Sequence, residues 1–154
     1  MPTTTNSNTI NTPLGQLEYQ DNQLLHLSGG VIGLPEADRF LLVENAEIEP
    51  LRWMVSTSVA NLSLPVIDPR ILMPGYELSL TPEQALRLEV DKEEISGLLP
   101  LAITVLAEPA DASTANLKAP IVVNTRRMVA AQVVLVDADY PVDFPLLRSP
   151  LREE

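Results

Sequence analysis

Proline interrupts this chain so often that long helices have little room to form. Fourteen prolines stand against six glycines in 154 residues. A proline inside a helix removes a backbone donor and clashes with the preceding turn. Short elements are therefore expected. Apolar runs rich in Val and Ile recur between Pro, Gly, Asn and Asp, the pattern of strands bounded by turns. They fall at residues 9–12, 16–19, 24–27, 40–43, 53–56, 62–67, 76–80, 101–106, 121–124 and 129–136. Many short strands in one small chain predict a mainly β fold: a single-domain, antiparallel, barrel-like β structure with short helices. Aromatic residues make up only 4% of the chain, so its core must be aliphatic.

One helix start is well marked. Thr81-Pro82-Glu83-Gln84 offers a capping hydroxyl, a proline at the first helical position and a Gln three residues after the cap. The spacing predicts a helix over 82–88 with Leu86 on its buried face. A second helical turn is expected at 91–95 and a third at 35–38. Helices this brief cannot serve as crossovers of a parallel sheet. Residues 1–8 read as a disordered tail, 9–145 as the folded domain and 146–154 as a flexible tail.

The formal net charge is −11. Such a surface repels phosphate backbones and disfavours direct nucleic-acid binding, while it speeds encounter with a basic partner. Acidity also serves solubility alone. The chain contains no cysteine, which excludes disulfides, thiolate metal sites and a cysteine nucleophile. Its first residues lack a basic start followed by an apolar run, and no apolar stretch is long enough to span a bilayer. A cytoplasmic, monomeric protein is expected.

Motifs for chemistry are weak. His26, the single histidine, alternates with Leu25 and Leu27 and reads as an ordinary strand residue without triad or zinc partners. Ser28-Gly29-Gly30-Val31-Ile32-Gly33 half-matches a dinucleotide fingerprint. A strand follows at Phe40, however, leaving no room for the helix that would hold a pyrophosphate. The glycines instead suit a tight turn. Asp137 and Asp139 with Glu108 form no specific acid–base pair, and Asp68-Pro69 reads as a strand end. A small β-barrel hydrolase using Asp68 or Asp139 is a competing reading that rests on these scattered carboxylates alone.

The most distinctive stretch is Asn116-Leu117-Lys118-Ala119-Pro120-Ile121-Val122-Val123-Asn124. Asn116 can start a turn by bonding its own backbone, and Pro120 fixes entry into the next strand. This stretch resembles the signature of the flagellar assembly factor FliW family. Further blocks agree in order: Thr12-Pro13-Leu14-Gly15-Gln16-Leu17, Gly30-Val31-Ile32-Gly33-Leu34, Arg39-Phe40-Leu41-Leu42, Trp53-Met54-Val55-Ser56, Val66-Ile67-Asp68-Pro69, Gln132-Val133-Val134-Leu135 and Tyr140-Pro141-Val142. The resemblance covers roughly residues 9–142. The chain departs from the family pattern at Leu34, where Phe is usual, and at Val55, where Gln is usual. The first change is expected to cost some packing, the second to remove a polar group from a partner surface.

The resemblance implies a β-rich protein that acts by binding, without catalysis, cofactor or metal. Proteins of this kind bind the basic RNA-binding translational regulator CsrA and keep it off its messages. They also bind flagellin, which competes for them. Under that reading Asn116, Lys118, Pro120 and Asn124 in the signature stretch are candidate contacts. Glu83, Glu93 and Glu94, with Glu89 and Asp91, form a candidate acidic steering patch. The same β domain repurposed for another protein partner is the alternative within this class.

Overall fold

The computed structural model describes residues 7–12 and 15–146. A hairpin of β1 (Ser7–Thr12) and β2 (Gly15–Gln20) opens the chain as a separate two-stranded sheet. The strands that follow are β3 (Leu25–Leu27), β4 (Arg39–Glu44), β5 (Arg52–Ser56), β6 (Ser63–Ile67), β7 (Leu99–Val105), β8 (Thr114–Ala115), β9 (Ile121–Asn124), β10 (Val129–Gln132) and β11 (Phe144–Pro145). Neighbours run β7-β6-β5-β4-β3-β10-β9, and β9 pairs back onto β7, closing a barrel of seven strands. Closure removes the exposed edges that an open sheet would leave. Every pair in the ring is antiparallel except β3–β10, which is parallel with Val129 opposite His26. Strands β8 and β11 continue outward from β7.

Side-chain alternation divides the barrel strands between two apolar layers. Leu25, Leu27, Phe40, Met54, Val66, Leu101, Ile121, Val123 and Ala130 form one cluster, and Ile67, Ala102, Val122 and Ala131 belong to a second. Adjacent residues such as Val122 and Val123 thus point to opposite layers, and all four residues of β9 are buried. The second layer is completed by Leu88, Leu98, Leu117, Val133 and Leu135 outside the barrel wall. Phe40 is the sole aromatic side chain in the first buried cluster and Tyr76 in the second, as the aliphatic composition predicts.

Two short α-helices are present, α1 (Pro69–Leu72) and α2 (Pro82–Arg87). The expected capping box holds: Thr81 Oγ1 accepts from the Gln84 N–H at 3.1 Å, and Gln84 Oε1 accepts from the Thr81 N–H at 2.9 Å. Leu86, however, is 78% exposed. The face turned inward carries Gln84, Ala85 and Leu88, because a six-residue helix is oriented by its caps and not by one apolar residue. The expected turn at 91–95 is a 3₁₀ helix over Lys92–Gly97, while residues 35–38 form only a turn. Asp68 ends β6 as expected, and it also caps α1 by accepting from the Arg70 N–H at 2.9 Å.

Residues 76–80 alternate as a strand should but pair with none. Alternation reports which face is buried and carries no information about a ladder partner. Here Tyr76, Leu78 and Leu80 pack on the second layer and hold the segment extended. Strand β10 likewise ends at Gln132, four residues before the expected end. Strand β1 takes in Ser7 and Asn8 from the segment expected as a tail, and Leu146 packs on the second layer. Residues 1–6, 13–14 and 147–154 lie outside the described residues.

Candidate functional site

The signature stretch is an internal brace. Asn116 Oδ1 accepts from the N–H groups of Lys118 (3.1 Å) and Ala119 (3.0 Å), the turn its sequence predicts. Leu117 is fully buried, its N–H donating to the Pro141 carbonyl at 2.9 Å and its own carbonyl accepting from the Tyr76 hydroxyl at 2.7 Å. Burial, with Tyr140 and Asp68 nearby, pushes the Tyr76 pKa above its ordinary value and keeps that hydroxyl a donor. The Tyr76 and Tyr140 rings stack at 4.5 Å. Lys118 is half-buried and donates through Nζ to the Ala138 carbonyl at 2.6 Å.

Pro120 and Asn124 are buried. Asn124 Nδ2 donates to the Leu88 carbonyl at 2.8 Å, while Oδ1 accepts from the Arg126 (3.1 Å) and Arg127 (3.4 Å) N–H groups. The hydrogen bonds of these four candidates are therefore made within the chain, and only Asn116 and Lys118 reach partway to the surface. Val55 is also buried, paired across strands with Leu41. The departure from Gln at that position alters packing and leaves the surface unchanged.

The acidic candidates divide between two places. Glu89, Glu93 and Glu94 line a groove of about 480 Å³ together with Asn124, Arg126 and Arg127. Arg126 pairs with Glu94 at 3.3 Å and Arg127 with Glu89 at 3.7 Å, so two of the three carboxylates are locally neutralised. Asp91 caps the 3₁₀ helix above them. Glu83 lies elsewhere, on the exposed side of α2, in a groove of about 440 Å³ shared with Ile32, Val134 and Val136.

That second groove was not legible as a site in the sequence. One wall is the Gly29-Gly30 turn, with φ of +80° and +69°, and at Gly30 any Cβ would run into the backbone of Pro35. The other wall is α2, fastened at both ends. Arg87 Nη2 donates to the Ser28 carbonyl at 2.6 Å, and Gln84 Nε2 donates to the Val134 carbonyl at 3.3 Å. Gln132 ties the turn to the barrel: its Oε1 accepts from the Ile32 N–H at 2.7 Å and its Nε2 donates to the Ala119 carbonyl at 3.0 Å. Ile32, Val134 and Val136 remain exposed, as does Leu86 on α2. Neighbouring exposed apolar side chains beside polar walls mark an interaction surface more often than isolated ones do.

The carboxylates proposed for hydrolysis are engaged or isolated. Burial raises the Asp68 pKa, but hydrogen bonds and charge from Arg70 more than offset this, and the carboxyl sits below its ordinary value. Its oxygens accept from Arg70 Nε and Nη2 at 2.9 and 2.7 Å. Asp139 is exposed, and His26 lies on the outer face of β3. Among the described residues no group of three His, Asp or Glu is placed to hold a metal ion, and no helix is long and apolar enough to cross a membrane.

A closed aliphatic barrel carrying a groove with exposed apolar side chains and charged rims defines a small barrel protein with a candidate interaction surface. Comparison with known proteins makes that class specific. The FliW protein family model matches residues 8–146. The chain belongs to the FliW family of flagellar assembly factors. It is 34% identical over 132 residues to the flagellar assembly factor FliW of Bacillus subtilis, covering 86% of this chain and 91% of that one. It is 31% identical over 142 residues to the factor of the same name from Thermoanaerobacter pseudethanolicus, covering 91% and 93%. A crystal structure of the flagellar assembly factor FliW superposes with a TM-score of 0.81 at 26% identity, covering 94% of this chain and 99% of that one.

Proposed function

We propose that this protein works in the cytoplasm as a monomeric, non-catalytic antagonist of a basic RNA-binding translational regulator of the CsrA type. It also binds flagellin, so that flagellin displaces the regulator and synthesis is matched to export. The observation that carries this reading is the family match across residues 8–146. The net charge of −11 supports it, since complementary charge raises association rates with a basic protein. The engagement of Asp68 by Arg70 and the isolation of Asp139 give the hydrolase reading no foothold.

A calorimetric titration of the purified protein with the regulator, repeated with flagellin as competitor, tests the proposal. Binding of both at micromolar concentrations or tighter, with mutual displacement, is the expected result. Absence of binding to either one refutes it.

A further inference from the structure

The barrel closes on itself, and the first hairpin does not. Every strand of the ring has a neighbour on each side, and β8 lies between β7 and β11. Among the described residues β1 and β2 are the only strands longer than the 2-residue β11 that have an unpaired side. The Gln20 N–H turns outward from β2 and donates to Gln23 Oε1 at 2.7 Å. Alternation turns the Gln16 and Glu18 N–H groups to that same outer side. Asn11 and Thr9, the residues opposite them, turn theirs to the outer side of β1. Among the described residues none of these four N–H groups has an acceptor.

Ile10, Leu17 and Tyr19 share one face of the hairpin, half-buried, and belong to neither apolar layer of the barrel. No other strand or helix makes more than slight contact with this pair. A two-stranded sheet alone is marginally stable, and a third strand is what makes such a sheet stable by itself. Charge selects that third strand. No Lys or Arg precedes Arg39, whereas Glu18, Asp21, Glu36 and Asp38 all do. Glu18 is exposed on β2, without an ion-pair partner among the described residues. The β2 strand of a second copy would bring one Glu18 to the same short edge as another, and like charges facing across strands destabilise. Strand β1 carries no charged residue that could select a partner.

We propose that the outer edge of β2 receives an extended strand from the basic regulator, turning the hairpin into a three-stranded sheet. Main-chain hydrogen bonds to the Gln16 and Glu18 N–H groups supply affinity, and side chains alternating along the added strand supply selection. One face of that strand carries apolar residues beside Leu17 and Tyr19, and the other a Lys or Arg beside Glu18. This inference rests on the proposed regulator binding and assigns that partner to the hairpin.

The experiment measures amide hydrogen exchange by NMR in the intact chain, free and bound to the purified CsrA-type regulator. Affinities of Glu18→Lys and Glu36→Lys accompany it, the second making the same change of charge outside the hairpin. Both side chains are exposed, so folding should be unaffected. Slowing of the Gln16 and Glu18 amides by about tenfold or more on binding, while those of Thr9 and Asn11 stay fast, supports the inference. So does a loss of about tenfold in affinity for Glu18→Lys against little for Glu36→Lys. Wild-type binding with the Gln16 and Glu18 amides unchanged overturns it and leaves the proposed function standing, even if a variant fails to fold. Slowing at Thr9 and Asn11 instead, or equal losses in the two variants, overturns it too. Slowing of the β2 amides with rising concentration of the free protein, alongside dimer formation, would give the edge to a second copy and overturn it. A wild type that binds no regulator removes this inference together with the reading it rests on.

Discussion

The Tyr76 hydroxyl donates a 2.7 Å hydrogen bond to the carbonyl of Leu117, joining residues 41 positions apart inside the second apolar layer. This single bond anchors the unpaired 76–80 segment to the signature stretch. Tyr76→Phe keeps the ring and its stacking on Tyr140 but orphans a buried acceptor, which costs about 1–3 kcal/mol. Urea unfolding should show that loss with an unchanged m-value.

Gly30 and Gly33 separate two effects of adding a methyl group. Both have positive φ, +69° and +87°, where an L-residue pays about 1–2 kcal/mol. At Gly33 a Cβ meets open space, whereas at Gly30 it runs into the Pro35 backbone. Thermal denaturation should therefore show Gly33→Ala modestly destabilised and Gly30→Ala clearly more so. Equal effects would mean that the Pro35 turn yields freely.

Lys118, a candidate partner contact in the signature stretch, donates through Nζ to the Ala138 carbonyl at 2.6 Å. Lys118→Glu removes a charged donor and sets a carboxylate against a carbonyl, so stability should fall by about 1.5–3 kcal/mol. Chemical denaturation measures this, and Lys118→Arg should recover part of the loss. A melting temperature unchanged in Lys118→Glu would show that the bond to Ala138 adds nothing to folding.

Features written in contiguous residues were readable beforehand. The Thr81 capping box, the Asn116 turn and the strand at β9 each depend on neighbours within four residues. What could not be read depends on a distant partner. The parallel β3–β10 pairing that helps close the barrel joins residues about a hundred positions apart, and β8 with β11 is too short to carry a pattern. The acidic run at 89–94 looked like a free negative patch because the arginines that answer it come from the turn after β9.

Asp68 makes stability depend on acid. Its folded pKa lies below the ordinary carboxylate value of about 3.9 through its contacts with Arg70. A depressed folded pKa contributes stability that is fully present above the unfolded pKa and is lost as pH falls towards the folded one. Asp68→Asn keeps a side-chain oxygen to cap α1 and removes the charge. The stability gap between wild type and variant should be constant from pH 5 to 7 and narrow below about pH 4. A gap independent of pH would assign the whole effect of Asp68 to its cap.

Arg126 and Arg127 mask two of the three carboxylates around their groove, Glu94 and Glu89. Exposed ion pairs contribute about 0–1 kcal/mol to folding, so Arg126→Gln with Arg127→Gln should leave the melting temperature nearly unchanged. The same pair of changes takes the net charge further from neutral and unmasks the rim. Stopped-flow association with a basic regulator should therefore speed up by a few-fold at low ionic strength, while Glu93→Gln slows it. Raising the salt to about 1 M shortens the screening length to about 3 Å and should bring all three proteins to a common rate. Differences that persist at that salt concentration would show that these residues touch the partner directly rather than steer it.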